Sequence, residues 1–154
     1  MKYIDINLNK KEPGWKYLGR YVFNGKESDG KITYNVSGIS KTTHLLFYSD
    51  ANCDWNYVYK NRDNCALIAN SKYGRVISDQ AGVISIAKTP APSYWYVAVA
   101  NCDDPYKVDG YVHLEDMGWD TPTKTYNSEF DFAEQDETEV ITCFALLFGA
   151  LLMQ

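Results

Sequence analysis

The sequence predicts a mainly β domain, an antiparallel sandwich of seven or eight short strands. Three observations carry the prediction. Val, Ile, Thr and Tyr recur in short runs separated by Gly, Asn, Asp and Pro, the mix that suits a pleated, half-buried surface. Aromatic residues are abundant, with 13 Tyr, 6 Phe and 4 Trp. No sustained helical period interrupts the first 117 residues. At 154 residues the chain has the size of one domain with one hydrophobic core.

Taken in order, residues 1–14 are a polar lead-in ending at Pro13-Gly14. "WKYLGRYVF" (Trp15 to Phe23) alternates as a half-buried strand, and "NGKESDGK" (Asn24 to Lys31) is a turn-rich loop. "KITYNVS" (Lys31 to Ser37) and "THLLFYS" (Thr43 to Ser49) are strands bounded by Gly, Ser, Asn or Asp. Asp50 to Cys65 surrounds the short apolar core "WNYVY" with turn residues, which predicts a brief strand or a loop packed by Trp55. "GVISIAK" (Gly82 to Lys88) is β-branched, and Pro90 and Pro92 end it. "YWYVAVANC" (Tyr94 to Cys102) is apolar on both faces, as a central strand covered on two sides must be. The chain turns at Pro105 and returns as an alternating strand through Val112 and Leu114.

Residues 118–139 have few aliphatics and six acids from Glu129 to Glu139, the character of a connector. Val140 to Met153 is then 14 residues without a charge. A helix needs about 20 to cross the hydrocarbon core, so this run alone fits a buried terminal helix or an interfacial segment as well as a membrane span cut short. The acidic flank tilts the reading toward the start of a transmembrane helix, because negative side chains suit a helix N-terminus and absent Lys and Arg suit a non-cytoplasmic side. "MKYIDINLNKK" places Asp5, Asn7 and Asn9 where a signal peptide needs an unbroken apolar stretch. Any leader is therefore expected to have been removed or to lie upstream of Met1.

The net charge of −5 and pI near 4.9 argue against nucleic acid, which needs a basic footprint. Cys53, Cys65, Cys102 and Cys143 form no CxxC pair, so a disulfide is preferred to zinc. A bridge from Cys65 to Cys102 would tie a loop to the sandwich edge, while Cys53 is a rival partner for Cys65 and Cys143 reads as a small hydrophobe. Trp55, Trp95 and Tyr96 are candidates for ligand or partner contact, with core packing the preferred reading of Tyr94 to Cys102. His44 and His113 sit in strands beside apolar neighbours and show no converging partners. The Asp50 to Asp54 and Asn101 to Asp104 clusters lack calcium-loop spacing, and turn chemistry accounts for them. Asn35 opens the only Asn-x-Ser/Thr sequon, Asn35-Val36-Ser37, and is a glycosylation candidate. No nucleophile sits in an activating motif, so neither an enzyme, a cofactor nor a metal is expected.

Several segments in their order resemble the extracellular domain of the orphan seven-transmembrane family that includes the intimal-thickness-related receptor and the rhodopsin-like transmembrane-domain proteins, relatives of Golgi seven-helix proteins with GOLD-like lumenal domains. The segments are "YLGRYVF" (Tyr17 to Phe23), "HLLFYSD" (His44 to Asp50), "WNYVYKNRDNCAL" (Trp55 to Leu67), "YWYVAVANC" and "FDFAEQDETEV" (Phe130 to Val140). "LEDMGWD" (Leu114 to Asp120) departs from the family's Thr-Asn-Gly, and the acidic stretch is shorter. The resemblance covers most of the chain. It implies a GOLD-like β-sandwich, supports the Cys65 to Cys102 pairing and makes the apolar tail the start of the first membrane helix.

The expected function is then a non-cytoplasmic domain, at the plasma membrane or in the Golgi and secretory pathway, that binds a peptide, protein or lipid for a receptor-like membrane protein in signalling or trafficking. A secreted carbohydrate- or lipid-binding sandwich is the rival. A structural subunit docking through its hydrophobic tail is the third.

Overall fold

The computed structural model describes residues 1–24, 29–50 and 54–116; the connector and the apolar run expected over residues 118–154 lie outside them, as do Cys53 and Cys143. Eight strands form, β1 (Lys2–Lys10), β2 (Gly14–Phe23), β3 (Gly30–Ser37), β4 (His44–Ser49), β5 (Arg75–Ile77), β6 (Ala81–Ile86), β7 (Ser93–Asn101) and β8 (Tyr106–Asp116), with α1 (Asp54–Lys60) and α2 (Cys65–Ile68) between β4 and β5.

They make two antiparallel four-stranded sheets, ordered β1-β8-β3-β6 and β2-β7-β4-β5. Every connection except β4 to β5 therefore passes from one sheet to the other, which is the jelly-roll topology. The expected antiparallel sandwich is thus the fold. Ile4, Ile32, Val36, Ile84, Val112 and Leu114 from the first sheet meet Tyr21, Phe23, Leu45, Phe47, Val97 and Val99 from the second. Their alternation with exposed residues follows from the two-residue period of a strand.

Two expectations are corrected, and one strand is added. The lead-in is not loop: Ile4 and Ile6 point into the core while Asp5 and Asn7 face solvent, so polar residues that spoil a signal peptide are the outward half of an edge strand. The stretch around "WNYVY" is helical. Trp55 and Val58, three apart, are buried and Tyr57 and Tyr59 are exposed, a spacing that only a helix places on one face. The three-residue strand β5, unforeseen, pairs with β4 from Leu45↔Ile77 to Phe47↔Arg75.

β7 lies between β2 and β4, and its other face carries a second core. Tyr96, Ala98 and Ala100 pack there with Leu46 and Tyr48 beneath Trp55, Val58 and Ile68 of the helices. This is why Tyr94 to Cys102 is apolar on both faces. Gly110 (φ 150°) sits where a Cβ would fall 2.0 Å from the carbonyl oxygen of Asn35, so β8 can lie against β3 there only without a side chain. No helix among the described residues is long and apolar enough to cross a membrane.

Candidate functional site

The connection from β4 to β5 carries most of the chemistry that is not simple core. Trp55 of α1 stacks on Tyr96 of β7, ring centroids 4.0 Å apart and planes within 6°. Trp15, Tyr17, Tyr48 and Tyr59 surround the indole at 5.3 to 6.1 Å. The Tyr48 hydroxyl accepts a hydrogen bond from Trp15 Nε1 and donates one to the Ile68 carbonyl, both 3.0 Å. Burial drives its pKa far above the usual phenol value, so it stays a donor.

α2 is closed by covalent chemistry. Cys65 at its start is bonded to Cys102, just past the end of β7, with Cα atoms 5.5 Å apart. The 37-residue separation encloses α2, β5, β6 and β7 in one loop. The pairing expected for Cys65 is present, and it leaves Cys53 without this partner. Beside it Asn101 is buried. Its Nδ2 donates to Thr43 Oγ1 at 3.0 Å, and its Oδ1 accepts the backbone amides of Asp103 and Asp104 at 3.0 and 2.9 Å. That is an Asx turn, the turn chemistry expected of this cluster. Among the described residues no group of His, Cys, Asp and Glu could hold a metal ion.

The three aromatic candidates separate. Tyr96 is fully buried and Trp55 is 7% exposed, so both belong to the second core. Trp95, the neighbour of Tyr96, points to the opposite face of β7, as strand alternation demands. It packs edge-on against Phe23 at 6.5 Å and donates from Nε1 to Ser93 Oγ at 2.9 Å. There it borders an open cleft of about 590 Å³ lined also by Phe47, Ser49, Ser71, Lys72, Tyr73 and Arg75. None of the residues from Ser71 to Arg75 stood out in the sequence, where "SKYGR" has the composition of any loop.

Asn35 lies on the outer face of β3, exposed, with Tyr111 of β8 and Ala81 of β6 as its cross-strand neighbours. When the chain is produced behind a secretory leader in eukaryotic cells, it is expected to gain an endoglycosidase-sensitive mobility shift that Asn35→Gln abolishes. An unshifted wild-type band from secreted material would count against Asn35 as an acceptor.

His113 shares that outer face, its ring stacked on Tyr3 at 4.0 Å with planes within 2°, while His44 Nδ1 lies 3.2 Å from Ser78 Oγ. Burial lowers the His113 pKa below the usual imidazole value, opposed by Glu115 and reinforced by the N-terminal ammonium and Lys31. A histidine depressed in the folded state contributes stability that is complete above about pH 6.5 and is lost as the pH falls through its folded value. Urea midpoints measured from pH 7.5 down to pH 5 are therefore expected to decline, and His113→Gln to flatten part of that slope. An identical slope in the variant would assign the decline to other groups.

Fold and bridge together define a jelly-roll β-sandwich, one sheet of which is roofed by two short helices and fastened by a disulfide. Neither a scan against models of known protein families nor a search of curated proteins finds a match for this chain.

Proposed function

We propose that this chain is the non-cytoplasmic binding domain of a seven-helix, receptor-like membrane protein in signalling or secretory-pathway trafficking, with a GOLD-like sandwich whose partner is a peptide, protein or lipid, and that it is not an enzyme. The observation that carries the proposal is the Cys65–Cys102 bridge. Disulfides of this structural kind form and persist outside the cytosol, which fits a lumenal or extracellular address. The sequence resemblance adds the membrane. After β8 the chain continues into an acid-rich segment and then into Val140 to Met153, read as the first part of a transmembrane helix.

The test is carbonate extraction of the natural full-length product from cells, with and without residues 140–154. Retention of the intact protein in the membrane pellet together with release of the shortened one is the expected result. Release of both would remove the membrane assignment. It would favour the rival, a secreted carbohydrate- or lipid-binding module.

A further inference from the structure

The cleft at the β4–β5 edge of the sandwich has a composition that the rest of the molecule does not prepare for. The chain carries a net charge of −5, yet the lining residues include Lys72 and Arg75 and no carboxylate. Neither cation is held in an ion pair among the described residues. Asp50 accepts the Tyr94 amide at 3.2 Å, and Asp79 acts on the Tyr34 hydroxyl with a sign opposite to that of Arg75. Neither carboxylate lines the opening.

Apart from Gly74 and Val76, the remaining lining is aromatic and hydroxylic. Trp95 is fixed by Phe23 and Ser93. Tyr73 is held from one side by Tyr57 of α1, ring centroids 5.2 Å apart, with the Lys72 ammonium 5.4 Å from its ring. Ser49 and Ser71 add hydroxyls. Gly74 keeps these groups where they are, since a Cβ there would come 2.7 Å from Tyr48 Cδ1 and 2.9 Å from the Phe47 carbonyl oxygen. Any larger residue would push the segment from Tyr73 to Arg75 away from β4.

From this arrangement we infer that the cleft binds an acidic sugar, a hexose unit bearing a carboxylate or a sulfate. A guanidinium grips a planar or tetrahedral oxyanion with paired hydrogen bonds. Aromatic faces accept the C–H side of a pyranose, and serine hydroxyls serve its ring hydroxyls. A bare inorganic anion would leave the aromatic walls unused, and a lipid tail would find an opening too wide and too polar to dry it. The inference rests on the sandwich being a binding domain but not on its attachment to a membrane. Solubility in the extraction experiment leaves it standing, and failure here leaves the membrane assignment standing.

Backbone amide spectra of the purified protein, titrated with a glucuronate-containing disaccharide, a sulfated disaccharide, maltose and inorganic sulfate, test it. Shifts centred on Ser49, Ser71, Tyr73 and Arg75 are expected with the acidic disaccharides alone, weakening as salt is added. The exposed pair Lys72→Ala and Arg75→Ala, with spectra otherwise unchanged, is expected to raise Kd about tenfold or more. Equal binding of maltose, equal shifts from sulfate, undiminished affinity in the double variant, or no shifts in the cleft would each overturn the inference.

Discussion

Replacing Cys65 and Cys102 together by serine is expected to lower the free energy of unfolding by about 3 to 4 kcal/mol. The bridge closes a 37-residue separation, and the chain entropy it removes from the unfolded state grows with the logarithm of that length. A domain of this size is stable by only about 5 to 15 kcal/mol, so the variant sits close to its margin. The loss has a location as well. α2 is four residues long, too short to persist by itself, and it is held by the burial of its own Ile68 in the second core and by the bridge. Urea denaturation of the oxidised, reduced and double-serine proteins measures the difference, and hydrogen exchange shows whether residues 65–68 lose protection first. A change below about 1 kcal/mol would mean that the unfolded chain is already restricted.

The second large effect is expected from Trp55→Ala, at about 3 to 5 kcal/mol. Trp55 is the one side chain of α1 that touches Trp15, Tyr17, Tyr48, Tyr59 and Tyr96 at once. Without it the roof over Leu46, Ala98 and Ala100 loses its centre. Trp55→Phe keeps a ring over Tyr96 and is expected to recover more than half of the loss. Thermal or urea melts give the magnitude, and near-ultraviolet circular dichroism reports whether the aromatic cluster loses its fixed geometry. An alanine variant as stable as the wild type would show that the helix is dispensable to the second sheet. Because Trp55 and the bridge support the same layer, their effects are expected to add to less than their sum.

Much of this architecture is legible in the residues. β2, β3, β4, β6, β7 and β8 stand where alternation and turn residues put them, and the two-sided apolarity of Tyr94 to Cys102 already implies a layer on each side. β1 is hidden by its own polarity, since Asp5, Asn7 and Asn9 read as a lead-in until Ile4, Ile6 and Leu8 are seen as the other half of one period. α1 is hidden by composition, because aromatic residues favour strands in general and only the Trp55–Val58 spacing tells otherwise. Trp95 and Tyr96, adjacent in sequence, must diverge on any strand, and that alone divides a surface candidate from a core residue. The cations of the cleft are a different matter. Lys72 and Arg75 converge with Trp95 only because Gly74 lets one loop settle on β4, a long-range packing fact that no local pattern carries.

One feature of the topology also determines how the domain responds to tension. β1 and β8 pair antiparallel with Lys2 opposite Leu114, so the two ends of the sandwich leave it side by side. A pull that separates them acts on the hydrogen bonds of that ladder one rung after another rather than on all of them together, and the first strand peels at low force. Unravelling then meets the Cys65–Cys102 bond, which removes the stretch between them from the extensible length. Such a domain yields early, and its full extension is shortened by the bridged stretch.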